Sequence, residues 1–478
     1  MTANVSSSLR RALAAAALFA SVTALRADSR DDDIQALREQ IRQLDQKLRV
    51  LERKQEVKDE DAAAAAKTAA KLTVNDKGIT LASGDGANSL RLRGLVQADS
   101  RWFFDSEINN NDAFLIRRAR LIFEGVFSKI FQYQLVPEFG GTSGNGTLTL
   151  LDANITVALK PEFQIKAGRF REPVGLEQLQ SDSVAFFAER SVVSQFVPNR
   201  DIGLQLGGDL FAGTLSYAVG VFNGVPDGTN NSNNTEINNK KDFAARLFAQ
   251  PFKNDKDSAL AGLGFGIAGS IGRQNGAAGS VTSGYKTDGQ QTFFKYRTAV
   301  ATDPTTFDTV AKGDVKRLSP QAYYYVGPFG LQTEYVVSSV DVINGTVRKS
   351  LDHKAWQVSG GYVLTGEDTS YAGVVPKTTF NLDAGTLGAF EVVARVSGVN
   401  IDDDAFTGGS NSPASKNNSA TGLKTYSAGL NWYLSKTVRA SFDYFHTEFD
   451  LAPGATPAKT AVIANDENAV VTRLQLVF

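Results

Sequence analysis

Arginines dominate the part of the chain where chemistry is to be sought. Arg91 and Arg93 stand two residues apart, Arg101 follows on the same parity, and Arg118 and Arg120 repeat the two-residue step. Arg169, Arg171, Arg190 and Arg200 frame a further segment. A guanidinium stays charged at any physiological pH and can grip two oxygens of a phosphate at once. Several such groups in a row could replace the hydration of a passing anion without holding it so tightly that it cannot leave. The plain alternative is that each arginine is a wall residue paired to a carboxylate such as Asp99, Glu124 or Glu138, with Glu172 and Glu177 neutralising the later group.

Other chemistries find little support. The 478 residues contain no cysteine and two histidines, His353 and His446, too far apart in sequence for metal-ligand spacing. Disulfides, thiolate catalysis and cysteine-based metal sites are excluded. No Gly-x-Ser-x-Gly elbow is present, and Gly203 to Gly208 lack the Lys-Ser/Thr of a phosphate-cradling loop. An enzyme and a cofactor are therefore not expected. Fifty Lys and Arg against 51 Asp and Glu exclude a general nucleic-acid binder, so any anion preference must be local.

The elements that position the arginines follow from the periodicity. From residue 90, Leu90, Leu92, Val96, Ala98 and Trp102 alternate with Arg91, Arg93, Gln97, Asp99 and Arg101. Period two is a strand with one apolar and one polar face. Similar runs begin near residues 90, 114, 130, 149, 162, 201, 214, 241, 260, 316, 330, 354, 387, 422, 437 and 468. Sixteen strands, with short links after even-numbered ones and long links after odd-numbered ones, describe an all-β antiparallel transmembrane barrel with both ends in the periplasm. Residues 365 to 386 break the rule as a long connection on the short-turn side. The final Arg473-Leu474-Gln475-Leu476-Val477-Phe478 is an alternating strand closed by an aromatic. On the second strand the parity places Arg117 outward with Leu115, which a lipid face tolerates only near a rim, at a subunit contact or at a bulge. Arg246 shares the inner face with Asp242. Trp102, Trp356, Trp432, Tyr433 and Tyr444 are expected as membrane-interface anchors, and the two histidines as loop or strand-end residues.

Ahead of the barrel domain, taken as 72–478, two segments differ in kind. Arg10 and Arg11 precede an uncharged run from Ala12 to Leu25, too short for a spanning helix, so residues 1–27 read as a secretory signal peptide. In 28–71, Ile34, Leu37, Ile41, Leu44, Leu48 and Leu51 form an a/d seam, a short coiled coil that passes through Asp59-Glu60-Asp61 into an alanine-rich linker.

Arg117-Arg118-Ala119-Arg120-Leu121, Tyr133-Gln134-Leu135, and Gly168-Arg169-Phe170-Arg171-Glu172-Pro173 with Leu176-Glu177 resemble the phosphate-selective porin O and P family. Glu189-Arg190-Ser191, Arg200-Asp201-Ile202-Gly203, Gly220-Val221-Phe222-Asn223-Gly224, Trp356, Leu364-Thr365-Gly366-Glu367 and Gly429-Leu430-Asn431-Trp432-Tyr433 agree in order. The resemblance implies a homotrimeric outer-membrane porin of a Gram-negative bacterium, in contact with outer-membrane lipid, whose third external loop folds into the lumen. Here that loop is the third long link, 171 to 200, with Phe186, Phe187, Glu189 and Arg190 at the constriction. Named members pass phosphate or pyrophosphate. The chain departs from the family at Val174, Ala389-Phe390-Glu391 and Val396. Two other readings stay open, a general porin with balanced charge and a barrel-anchored periplasmic tether acting through the coiled coil.

Overall fold

The computed structural model describes residues 30–104, 111–141, 148–230 and 239–478. The signal peptide expected at 1–27 lies outside them, as do residues 231–238 of the Asn-rich link. The chain divides into two units, Met1–Ala69 and Ala70–Phe478.

In the first unit, Arg30–Thr68 is one helix of 39 residues. It runs on through the segment expected as a linker, because alanine is the best helix former and nothing in 59–66 breaks the ladder. The side chains of Ile34, Leu37, Ile41, Leu44, Leu48 and Leu51 are all exposed. Glu–Arg pairs three residues apart and an Asp–Arg pair four apart support the remaining faces.

The second unit opens with a hairpin, β1 (Lys71–Asn75) and β2 (Gly78–Ala82). There follow β3 (Ser89–Phe103), β4 (Ala113–Phe127), β5 (Phe131–Glu138), β6 (Thr149–Lys160), β7 (Phe163–Arg171), β8 (Arg200–Leu210), β9 (Leu215–Phe222), β10 (Asp242–Ala249) and β11 (Leu263–Asn275). A small hairpin, β12 (Tyr285–Lys286) and β13 (Thr292–Phe294), lies within the next loop. The wall resumes with β14 (Val310–Val326), β15 (Phe329–Asn344), β16 (Val347–Val363), β17 (Ala389–Asn400), β18 (Gly422–Tyr433), β19 (Val438–Asp450) and β20 (Glu467–Val477). The sixteen strands β3–β11 and β14–β20 pair antiparallel with their neighbours, and β20 pairs with β3. Closure removes every sheet edge that lipid would leave unsatisfied.

The period-two pattern sets the faces. On β15, Gln332, Glu334, Val336, Ser338, Val340 and Val342 are buried, whereas Phe329 and Tyr335 are exposed outside. The wall ends at the C-terminal aromatic. Gly94 and Phe478 exchange backbone hydrogen bonds at 2.7 and 3.1 Å, and a Cβ at Gly94 would lie 2.3 Å from the Phe478 ring.

Three of the expected strand starts move by more than two residues, to Leu263, Val310 and Val347. As a result the link between β15 and β16 is a two-residue turn at the end of the barrel that otherwise carries long loops. Gly345 takes φ +56°, the left-handed conformation that such a hairpin asks of its first central residue, and Gly345-Thr346 is the turn signal that parity counting passed over. On β4 the register slips between Gln97 and Ala98, whose partners are Arg118 and Ile116, so Arg117 is the extra residue of a bulge. Of the three positions open to Arg117, the bulge is realised. It turns Leu115 and Arg117 toward the same side as Arg118, reversing the outward placement that strict alternation gives. Tyr433 is not an interface anchor either. It is buried, donating to Glu391 at 2.7 Å. Nor is His353 at a strand end, because it is fully buried on β16 against Phe196, Tyr285 and Phe294.

Overpacking a tight seat costs about 1–3 kcal/mol. Gly94→Val should therefore lower the temperature at which the folded barrel converts to its unfolded mobility on a detergent gel. An unchanged conversion temperature would show that the Phe478 seat does not stabilise closure.

Candidate functional site

Residues 172–199, between β7 and β8, hydrogen-bond to strands on opposite sides of the closed sheet and so cross the lumen. The Leu176 and Glu177 amides donate to Glu334 on β15 at 2.9 and 3.1 Å. The Ala188 amide donates to Asp443 on β19 at 2.7 Å. Asn431 and Arg439 donate to the carbonyls of Phe186 and Ala185. Val174, Val192, Val193, Phe196 and Val197 pack into one apolar cluster with Phe170, Phe222, Val336, Leu351 and the loop residues Tyr285, Phe293 and Phe294. The interior along β14–β20 is thus largely filled.

Toward β3–β9 the same segment presents two carboxylates, each enclosed by arginines. Asp182 faces Arg118 (3.4 Å), Arg171 (3.2 Å), Arg120 and Arg190. Glu189 faces Arg101 (2.7 Å), Arg117 (2.6 Å) and Arg473 (3.0 Å). Arg473 also grips Asp99, Arg120 reaches Glu138, and Arg200 reaches Asp152. Burial alone would raise the pKa of Asp182. Attraction by Arg118, Arg190, Arg120 and Arg171 outweighs it and holds the group well below the ordinary carboxylate range. For Glu189 burial again opposes, and Arg117, Arg101 and Arg473 again prevail. Glu172 behaves otherwise. Fully buried, with neither carboxylate oxygen hydrogen-bonded, it is pushed well above the ordinary range, chiefly by desolvation. It does not neutralise the arginines as a pairing from sequence would have it, and Glu177 meets Arg395 and Ser191 instead.

Three cavities follow one another along the unfilled side. The first, of about 340 Å³, is lined by Arg91, Glu124, Gln134 and Lys166, among others. The second, of about 480 Å³, shares Gln134 and Lys166 with it and adds Arg93, Arg120, Arg171, Arg200 and Arg246. The third, of about 440 Å³, shares Arg120, Asp182 and Arg200 with the second and adds Arg117, Arg118, Arg190 and Lys286. Where the second and third meet, two arginines flank the loop carboxylate. Among the described residues, eleven arginines and lysines and five carboxylates line these three cavities, an excess of positive charge in a chain whose net charge is −1.

Of the arginines singled out from sequence, Arg91, Arg93, Arg118, Arg120, Arg171, Arg190 and Arg200 line these cavities. Arg101 and Arg169 are buried and line none of them. Arg101 is spent on Asp99 and Glu189, whereas Arg169 keeps its Nε and Nη2 without a hydrogen bond. Arg91 and Arg93 both lean on Glu124, the pairing that the plain alternative names. Arg246 gains a place in the second cavity. Lys166, Lys286, Arg473 and Asp182 were not singled out. Lys166 shares its parity with Gln164 on β7 and was legible there, whereas Asp182 and Lys286 sit on loops whose path no periodicity gives.

A closed sixteen-stranded barrel narrowed by an internal loop is the build of a porin of the bacterial outer membrane. The chain belongs to the phosphate-selective porin O and P family, which matches residues 90–478. Porin O of Pseudomonas aeruginosa is 25% identical over 427 residues, 84% of this chain and 91% of that one. Among solved structures, OmpT of Vibrio cholerae superposes with a TM-score of 0.51 at 12% identity, covering 82% of this chain and 98% of its own. A loop-deleted form of that protein gives 0.50 at 11% identity, covering 82% and 100%. These two show the fold alone.

A depressed carboxylate pKa stabilises the folded state above the unfolded value, about 4, and that stabilisation is lost only as the pH falls through the folded value. Protease resistance of 172–199 should therefore not decline between about pH 7 and pH 5 and should fall only in stronger acid. Removing one partner of a buried ion pair costs about 3–5 kcal/mol, so Asp182→Asn should speed cleavage there by about a hundredfold or more at neutral pH. Wild-type cleavage that rises already near pH 6, or an Asp182→Asn loop as resistant as wild type, would show that the arginines do not clamp it.

Proposed function

We propose that the protein is a passive, anion-selective channel for phosphate or polyphosphate, with its constriction at Arg120 and Arg200 beside Asp182. One observation carries this reading. The three cavities share residues end to end, and each shared or adjoining wall carries Arg or Lys. Among the described residues, the arginines and lysines that line the path outnumber the carboxylates that line it, so the path keeps a positive field. Family membership supports the same substrate class.

An anion entering the first cavity meets Arg91 and Lys166, passes to Arg93, Arg171 and Arg246, and then to the waist. There Arg120 and Arg200 supply planar donors. Asp182 keeps their charge from being so large that the ion could not leave, since conduction needs weak, repeated binding. Lys166 lies 4.7 Å from the Phe170 ring centroid, an apolar ledge that holds the ammonium at the wall. In this reading the barrel assembles as a homotrimer with both of its ends in the periplasm, and the helical unit lies in that compartment.

The pairing of so many arginines favours a second reading, a general porin with little selectivity. The two differ in one measurement. Losing one charge-assisted contact of about 1.5 kcal/mol or more corresponds to about tenfold in affinity. Titrating phosphate, then pyrophosphate, into single channels carrying chloride should give saturable block that weakens about tenfold in Arg120→Ala and in Arg200→Ala. Absence of block in the wild type, or equal block in both variants, would support the general porin.

A further inference from the structure

The outer wall carries a second feature that conduction does not use. On β10 and β11, Ala245 and Gly269 are register partners and form the low floor of an outward groove of about 470 Å³. Its rims are Phe243, Leu247, Ile267, Ile271 and Leu318, all about half exposed. From Ile267 to Ile271 the groove runs about 13 Å along β11. A shallow apolar slot with a small-residue floor takes a narrow, flexible hydrocarbon better than a flat wall does.

The next outward residue past Ile271 is Arg273. Across the sheet Lys316 pairs with Ile271, and Asp314 pairs with Arg273. Arg273 and Lys316 lie 3.7 and 3.0 Å from the Asp314 carboxylate, and all three side chains are exposed. Lys312, two residues further along β14, is exposed as well. Arg273 and Lys316 therefore share Asp314 at the head of the slot, with Lys312 two residues along and Asp341 accepting from the Asp314 amide, on the end of the barrel away from Ser89 and Val477. A lone cation at a membrane boundary needs no explanation, but Arg273, Lys316 and Lys312 against Asp314 and Asp341 leave a positive charge above an apolar slot, suited to a lipid phosphate.

The structure assigns this face to a phosphorylated, multiply acylated lipid of the leaflet at that end, with an acyl chain in the Ala245–Gly269 slot and a phosphate at Arg273, Lys316 and Lys312. The chemistry is that of the lipid A of lipopolysaccharide. That this end faces the outer leaflet rests on the orientation proposed above. The residues themselves lie on the outer wall, so lipid binding can fail without touching the conduction reading.

The test is native mass spectrometry of the detergent-purified full chain titrated with lipid A, dephosphorylated lipid A and inorganic phosphate. Wild type should retain lipid A, and Arg273→Ala combined with Lys316→Ala should weaken it at least tenfold. Ala245→Leu, which fills the slot from an exposed position, should weaken it similarly. Dephosphorylated lipid should bind wild type no better than lipid A binds the double variant, and inorganic phosphate should not displace the lipid. Folding of each variant is checked by its heat-dependent gel mobility, and phosphate block of chloride current should be unchanged in both. Equal retention by wild type and both variants overturns the assignment. So does displacement by inorganic phosphate. If Ala245→Leu instead dissociates the oligomer and leaves lipid retention intact, the slot is covered by a second copy of the chain and the assignment fails.

Discussion

Everything in the lumen depends on how the barrel contains buried charge. A loop crossing the interior must bring polar backbone and carboxylates out of bulk water, and an unpaired charge there is far too costly to persist. Asp182 and Glu189 meet that constraint by drawing arginines from several strands and from the loop itself. Arg118 and Arg120 come from β4, Arg101 from β3, Arg473 from β20, and Arg171 and Arg190 from the loop's own approach and return. The same contacts that hold the loop gather the cations, so the loop's placement and the charge beside it have a single origin. Because the apolar side of the loop packs toward β14–β20, the open path is displaced to the β3–β9 wall, where the arginine-bearing strands lie.

The bulge at Arg117 shows how local geometry serves this arrangement. A regular β4 would point either Arg117 or Arg118 at lipid. One extra residue lets both turn inward, Arg117 to Glu189 and Arg118 to Asp182 and Gln97. The bulge is thereby tied to the two hubs, and a residue that looked misplaced by parity joins the Glu189 hub.

Much of the wall was legible because a barrel strand must alternate. Thirteen of the sixteen strands begin within two residues of where the pattern placed them. The misses have particular causes. The long wall at β14–β16 continues beyond the apolar belt as polar residues such as Lys316, Ser339 and Asp352, where the apolar signal disappears but pairing does not. The turn at Gly345 was hidden by the same loss of contrast. For the site, the arginines could be read and their partners could not. Pairing Arg118 with Asp182 spans 64 residues and a loop without periodicity, and Arg473 reaches Asp99 only because the barrel closes. Charge balance in the lumen is a property of closure and loop path, which one strand's sequence does not contain.

The central claim is that the open path keeps a net positive field despite so many ion pairs. The zero-current potential of the wild-type channel across a KCl gradient reads that field directly. The arrangement predicts a potential with the sign of chloride permeating faster than potassium, and one that shrinks as salt is raised on both sides, since screening acts on exposed lumen charge. A potential near zero, or one with the sign of cation preference, would contradict it.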